Sequence, residues 1–469
     1  MLEFLKKNLN SRQKIFVNIT LFCAIITSII LFFYIMQRSK LHAQAEITIY
    51  YYVISSFTLI FVSILILSLR YGEEVAINCL LVIVSLIISI YIVDIVLTFY
   101  TPNNKKAEIA KKMGLKFDGR SPLEFVEQLR KEGVSAYPLA APINLIQDMD
   151  YKADILPLGT ISNKTTVVCN ETGENLVYIT DKHGFNNPQG IWSEKTIDIL
   201  MIGDSFAQGE CVQPSNNIAG VLTKKGYKVI NLGAGGNGML CELAGLTEYG
   251  NHIKPKIVFW IYFEGNDLSD LAAERQEPML MKYLEGNFTQ NLIDKQSDID
   301  SILEGYLEKK IKLGLEDRKK SEFSRFIKKI NYDTFKNIIK LNTLRDWFRP
   351  LPYPDPDELF IKILTNAKIR VSSWGGELYF VYLPAWERYT FNRNTRFGNA
   401  DYHNRIQMLS MVKDLNIKTI DITDVFNSNP DTLSLFAYRH IGAHYNPKGY
   451  KLIGETLIKD LQPEGNLSK

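Results

Sequence analysis

Three apolar runs of strand length, Thr196 to Ile202, Tyr227 to Leu232 and Ile257 to Phe263, each end abruptly in a polar, glycine-bearing loop. Two segments of helical spacing lie between them. Ile218 to Lys225 stops at Gly226, and Leu240 to His252 stops before Pro255. Continuously apolar runs belong to strands covered on both faces, and strand–helix–strand alternation joins such strands by right-handed crossovers. The expectation is a parallel sheet with helices packed on it.

In such sheets the carboxyl ends of the strands open on one crevice. Three loops meet there: Gly203-Asp204-Ser205, Gly233-Ala234-Gly235-Gly236-Asn237-Gly238 and Glu264-Gly265-Asn266-Asp267. They bring one hydroxyl, several glycine N–H groups and a side-chain amide. Acyl transfer needs that mixture: an alcohol that attacks, and neutral donors that hold the oxyanion. Any one of these loops, taken alone, also reads as an ordinary turn. The Gly-rich loop is not a Walker loop, because Met239 and Leu240 follow it in place of Lys and Ser or Thr. It is a poor dinucleotide fingerprint, since no acidic residue ends the next strand at the usual spacing. Zinc-type Cys/His spacing does not occur, and no metal or cofactor is implied.

A fourth block, Gly442-Ala443-His444-Tyr445-Asn446-Pro447-Lys448-Gly449, precedes the amphipathic run Tyr450 to Leu461. A histidine on the loop before the last helix suits a general base for Ser205. With Gly203-Asp204-Ser205, Asn231 to Gly236, Gly265-Asn266-Asp267 and His444 in this order, the chain resembles the SGNH (GDSL) esterase and lipase family over residues 196–267 and the last part of the chain. The resemblance implies a flavodoxin-like three-layer α/β/α fold with a parallel sheet. It makes Ser205 the nucleophile and His444 its base. It assigns the oxyanion hole to the backbone N–H groups of Ser205 and Gly236 and the side chain of Asn266. The wider stretches Cys169-Asn170-Glu171, His183-Gly184-Phe185-Asn186-Asn187-Pro188 and Tyr262 to Asp267 resemble membrane-anchored bacterial members. His183 itself reads as a loop residue.

One position departs from the family. Members usually carry an aspartate three residues before the histidine, where this chain has Ile441 after His440. The acid then comes from elsewhere, with Asp424 and Glu264 as candidates that spacing does not support. The other option is a Ser–His dyad oriented by a backbone carbonyl.

The first hundred residues hold three long apolar stretches. Ile15 to Met36 and Ile47 to Leu69 carry no charge, and Val75 to Tyr100 carries only Asp94. Each exceeds the roughly 20 residues that cross a hydrocarbon core as a helix. Residues 1–102 are therefore expected to form a membrane anchor of three transmembrane helices. Lys6, Lys7, Arg12 and Lys14 before the first stretch place the amino terminus in the cytoplasm and everything after Tyr100 outside. Lys105, Lys106, Lys111 and Lys112 run against that bias. Asp94 reads as an interfacial residue.

Residues 103–195 form a linker and an extension packed on the catalytic domain. Lys105 to Met113 reads as a short polar helix, and Pro122 to Glu132 as an amphipathic one. Thr165 to Cys169 and Leu176 to Thr180 read as short strands around Asn170-Glu171-Thr172-Gly173. The domain of residues 196–469 carries a charged helical insertion over about 268–356, read either as a lid or as a solvated excursion. The core resumes with a helix from Asp357 to Arg370. A strand from Glu377 to Leu383, a helix over Asn404 to Leu415 and a strand from Lys418 to Ile422 follow. Trp386 and Arg388 are candidates to line an acyl or glycan pocket. Of five cysteines, Cys23 and Cys79 lie in apolar stretches, while Cys169, Cys211 and Cys241 permit one disulfide. Cys169 with Cys211 is the favoured pair, although spacing does not fix it.

The formal net charge of +3 carries no basic excess of the kind that binds nucleic acid. The expectation is a membrane-anchored serine esterase or acyl-transferring enzyme acting on an envelope glycan or lipid, with the bilayer as its other partner. The alternative is a non-catalytic binding or assembly protein that keeps the fold, and Ile441 motivates it. Oligomeric state is not legible.

Overall fold

The computed structural model describes residues 11–39, parts of 51–66, 73–99, parts of 108–114, 116–148, 151–319 except 152 and 172, 332–348, 354–390, 399–439 and 442–461. Most of Lys105 to Met113, the Pro350 to Tyr353 part of the Pro-rich close, and Ile441 lie outside these residues. The chain divides into two compact units. One comprises residues 1–103 with 321–352 and 394–396, and the other comprises the rest.

The second unit is built on a five-stranded parallel sheet. Its strands are β4 (Ile199–Gly203), β5 (Val229–Asn231), β6 (Ile257–Phe263), β7 (Glu377–Leu383) and β8 (Lys418–Asp421), in the order β5-β4-β6-β7-β8. All pairings are parallel. The chain runs from β4 to one side and then returns to the other, so the order reverses beside β4, where doubly wound sheets place their ligands.

Side chains alternate across the sheet with period two. Leu200, Ile202, Val258, Trp260 and Tyr262 point to one layer, where they meet Leu240, Leu243, Phe360 and Ile363. Ile199, Met201, Phe259 and Ile261 point to the other, against Ile218, Leu222, Ile453 and Leu457. Helices Met239–Gly245 and Glu358–Ser373 cover the first face, and helices Ile218–Lys224 and Pro447–Leu461 the second. Three layers result, as the resemblance implies. Asp357 caps the helix Glu358–Ser373 by accepting the Leu359 and Phe360 N–H groups.

A smaller sheet precedes the large one. It consists of β1 (Ala136–Pro138), β2 (Thr165–Val167) and β3 (Val177–Ile179), with β1 parallel and β3 antiparallel to β2. The helix Pro122–Lys131 starts with a Ser121–Glu124 capping box. The β2–β3 connection is the turn around Asn170 and Gly173. Asn170 Oδ1 accepts the Gly173 N–H at 2.9 Å, and Asn170 Nδ2 donates to the Asp118 carbonyl at 2.9 Å.

The segment expected as one helical insertion is shared between the units. Helix Gln296–Lys319 buries Ile299, Leu303, Leu307 and Ile311 in the core of the sheet unit. Helices Tyr332–Ile339 and Asn342–Phe348 belong to the first unit, where they meet helix Glu73–Phe99. Asp94 is fully buried there, and its carboxylate accepts the Leu344 N–H at 2.7 Å. It therefore packs against the start of the helix Asn342–Phe348. Among the described residues this unit also has the long helix Ser11–Ser39. Among the described residues no helix is long and apolar enough to cross a membrane, so the three expected spans rest on the sequence.

Candidate active site

The end of β4 is shaped so that one hydroxyl projects from it. Gly203 has φ +155, and a Cβ there would fall 2.6 Å from Ala207 Cβ and 2.7 Å from the Ile261 carbonyl oxygen. Only glycine lets the strand turn this tightly into the helix Ser205–Gln208. Asp204 caps that helix by accepting the Phe206 N–H at 2.8 Å. Ser205, only 9% exposed, stands at its first turn. The Phe206 ring stacks on Phe263 at 3.6 Å and leans on the His444 ring at 4.7 Å.

His444 reaches Ser205. Its Nε2 is 2.9 Å from Ser205 Oγ. On the far side of the ring, Nδ1 is 3.1 Å from Glu171 Oε2, and the same oxygen accepts the His444 backbone N–H at 3.0 Å. With Nδ1–H donating to the carboxylate, Nε2 is left as the acceptor that a general base needs. Burial by itself lowers the His444 pKa. The hydrogen bond and charge of Glu171, then the charges of Glu210 and Asp204, outweigh burial and raise it above the ordinary histidine value. Glu210 Oε2 faces Nε2 at 3.7 Å.

Glu171 comes from the β2–β3 turn, 273 positions before His444. Cys169, two residues earlier, is bridged to Cys211, six residues after Ser205, with 5.5 Å between their Cα atoms. This is the favoured pair. Cys241 is a buried free thiol. Two residues of chain span about 7 Å at most, so the bridge by itself confines Glu171 to the neighbourhood of Ser205. The stretch Cys169-Asn170-Glu171 and the Cys169–Cys211 pair, taken together, point to Glu171 beside Ser205. That combination was the available signal.

The two candidate acids from sequence are occupied elsewhere. Glu264 is buried and takes the Arg388 guanidinium, the Tyr382 hydroxyl at 2.5 Å and the Ala385 N–H at 2.7 Å. Asp424 is highly exposed and pairs with Arg405 at 3.1 Å. Arg388 is thus engaged with Glu264 and is not a free pocket wall. His183 is buried against Trp192 and Tyr249, with Nδ1 3.2 Å from Gln296 Oε1, which fits a packing residue.

The Gly-rich loop is held against the helix Ser205–Gln208. Gly235 N–H donates to Gln208 Oε1 at 2.8 Å, and Asn231 Nδ2 donates to the Ala207 carbonyl at 2.7 Å. A Cβ on Gly233 would lie 2.4 Å from Gln208 N, so this approach needs glycine. Gly236 has φ +72. Asn266 Nδ2 donates to Asp270 Oδ2 at 2.6 Å. Below these loops sits a group of buried acids. Burial raises Asp204 to about 6, and raises Asp270 and Glu274 to about 7. Glu242 and Asp267 are driven well above the carboxylate range, again by burial first. Burial thus disfavours the ionised form of each of these carboxyls, most strongly for Glu242 and Asp267.

No protein-family model and no curated protein matches the chain. It is similar to several solved structures. A member of the lipolytic protein G-D-S-L family from Veillonella parvula is 14% identical, with 56% of this chain and 97% of that one covered and a TM-score of 0.30. The lipase/acylhydrolase from Enterococcus faecalis is 14% identical, with 58% and 100% covered and a TM-score of 0.32. The acetyl xylan esterase AlAXEase is 11% identical, with 57% and 100% covered and a TM-score of 0.33.

Proposed function

We propose that this chain is a serine acyl-ester hydrolase or acyl-transferring enzyme. Ser205 is the nucleophile, His444 the general base and Glu171 the acid that orients it. The observation that carries this reading is the pair of contacts on one imidazole, Ser205 Oγ at 2.9 Å and Glu171 Oε2 at 3.1 Å. Ser205 Oγ attacks the ester carbonyl as its proton passes to Nε2. The resulting imidazolium is stabilised by Glu171, and it then gives that proton to the departing alcohol. The backbone N–H groups of Ser205 and Gly236 and the Asn266 amide serve the oxyanion. The bond to Asp270 Oδ2 and a further hydrogen bond to Asp204 fix the Asn266 amide at the edge of the site.

The reading of the chain as a non-catalytic assembly protein rested on a missing acid, and Glu171 supplies one. An envelope glycan or lipid is the proposed substrate class, and residues 1–102 the proposed anchor. Support comes from the three apolar stretches and from side chains such as Phe22, Ile30, Phe33, Leu86 and Val96, which are exposed in the first unit. A fluorophosphonate probe tests the chemistry. Covalent labelling of the wild type and none of Ser205→Ala is expected; absent labelling of well-folded wild-type protein would refute it. A reporter fused after Lys469 that is active only in the cytoplasm would refute the outward placement.

A further inference from the structure

The hydroxyl that takes the acyl group from Ser205 must hand its proton to His444 Nε2, and a second carboxylate faces that same nitrogen. Glu210 Oε2 lies 3.7 Å from it, and the side chain is 16% exposed. The turn that ends the nucleophile helix fixes its position. Gly209 N–H and Glu210 N–H both donate to the Ser205 carbonyl at 3.0 Å, with Gly209 in the left-handed region at φ +75. The next residue, Cys211, also has a positive φ of 64 and is bridged to Cys169. The other carboxylate oxygen rests against the Gly-rich loop, since a Cβ on Gly235 would fall 2.3 Å from Glu210 Oε1. The carboxylate therefore extends from the base to the loop that carries Gly236. The acylation step described above does not use it.

Building on the Ser205–His444 reading, we propose that Glu210 selects the acyl acceptor. It accepts a hydrogen bond from the second hydroxyl of a vicinal diol whose first hydroxyl attacks the acyl-enzyme. The acceptor class is a polyhydroxy compound of sugar type, and water is its competitor.

The argument is one of proton count. An attacking alcohol has a single O–H hydrogen, and Nε2 takes it. A monohydric alcohol then turns only C–H groups toward the partly buried Glu210 carboxylate and adds no hydrogen bond to it. A vicinal diol has a second O–H one carbon away, and water has a second hydrogen on the same oxygen. Each can serve Nε2 and Glu210 Oε2 together. The atoms balance as follows. The new bond joins acceptor oxygen to the acyl carbon, and the bond from that carbon to Ser205 Oγ breaks. The acceptor proton passes to His444 Nε2 and from there to Ser205 Oγ, restoring the enzyme. A hydrogen bond to a charged acceptor corresponds to about 10- to 100-fold in rate.

The test uses full-length protein with p-nitrophenyl acetate, in the presence of 1,2-propanediol or 1-propanol at equal concentration. Release of p-nitrophenol reports acylation, while acetate and acetyl ester, separated by gas chromatography, report how the acyl-enzyme partitions. Wild type should favour the diol over the monohydric alcohol by about 10-fold or more. Glu210→Ala should bring that preference to within about 2-fold while still labelling with a fluorophosphonate, and Glu210→Gln should fall between. Equal partition by the wild type overturns the proposal, as does an unchanged preference in both variants. A carboxylate acting only on the imidazolium would slow acylation and both acceptors alike, and that pattern also overturns it. If p-nitrophenol release is the same in Ser205→Ala as in wild type, the esterase reading has failed and takes this proposal with it.

Discussion

One oxygen of Glu171 binds His444 twice, at the ring nitrogen Nδ1 (3.1 Å) and at the backbone N–H (3.0 Å). The acid thus fixes both the tautomer of the base and the loop that carries it. Glu171 arrives from the β2–β3 hairpin ahead of the large sheet, far in sequence from the loop that carries His444.

Glu171→Gln should lower kcat by about 10³- to 10⁴-fold, as loss of an orienting carboxylate does in serine-triad enzymes, with a smaller effect on KM. It should also shift the acid limb of the pH–kcat/KM profile. His444 must be neutral to accept the Ser205 proton, and its raised pKa places that limb above the ordinary histidine value of 6.5. Removing the Glu171 charge moves the limb to lower pH. The charges of Glu210 and Asp204 remain and hold part of the shift. Steady-state kinetics on a chromogenic ester across pH 5 to 9 would check both.

Replacing both Cys169 and Cys211 by serine should cost stability and activity together. Opening a loop of 42 residues releases about 4 kcal/mol of unfolded-state entropy. It also frees the turn that carries Glu171. Thermal unfolding and ester turnover, measured with and without a dithiol on the wild type, should reproduce both losses.

Gly203→Ala places a methyl 2.7 Å from the Ile261 carbonyl and 2.6 Å from Ala207 Cβ, at a φ of +155. A loss of about 2–3 kcal/mol in unfolding free energy is expected. Gly190→Ala, also at positive φ but with open space around its Cβ, separates the clash from the backbone term.

Asp270 titrates near 7 when folded, against 3.8 ordinarily, because burial outweighs the Asn266 hydrogen bond. A group with a raised pKa contributes full stability below the unfolded value and loses it as pH climbs through the folded one. The ionised side chain therefore weighs against folding above about pH 7, by about 4 kcal/mol at most. Asp270→Asn should be more stable than wild type at pH 8 and no more stable at pH 4. Denaturant melts at the two values decide it.

Much of the sheet was legible. β6 and β7 match their expected bounds, Ile257–Phe263 and Glu377–Leu383, because apolar runs there are flanked by Pro255 and by Gly376 and Pro384. Ser205 and His444 were legible because each sits in a short block with its own chemistry. Glu171 was not. Its partner lies 273 positions away, and a contact of that kind leaves no periodicity in either segment. Asp424 and Glu264 are acids that spacing does not support, and Arg405 and Arg388 stand beside them. The position of Ile441 lies outside the described residues.

Helix Glu73–Phe99 meets the helices Tyr332–Ile339 and Asn342–Phe348, and Asp94 receives the Leu344 N–H. A practical rule for handling the protein follows. Trimming the amino-terminal residues alone would strand the 332–348 pair, with Phe335 and Ile339 already facing outward and a bare apolar flank added. A fragment for crystallisation should therefore omit residues 1–103 and 321–352 together.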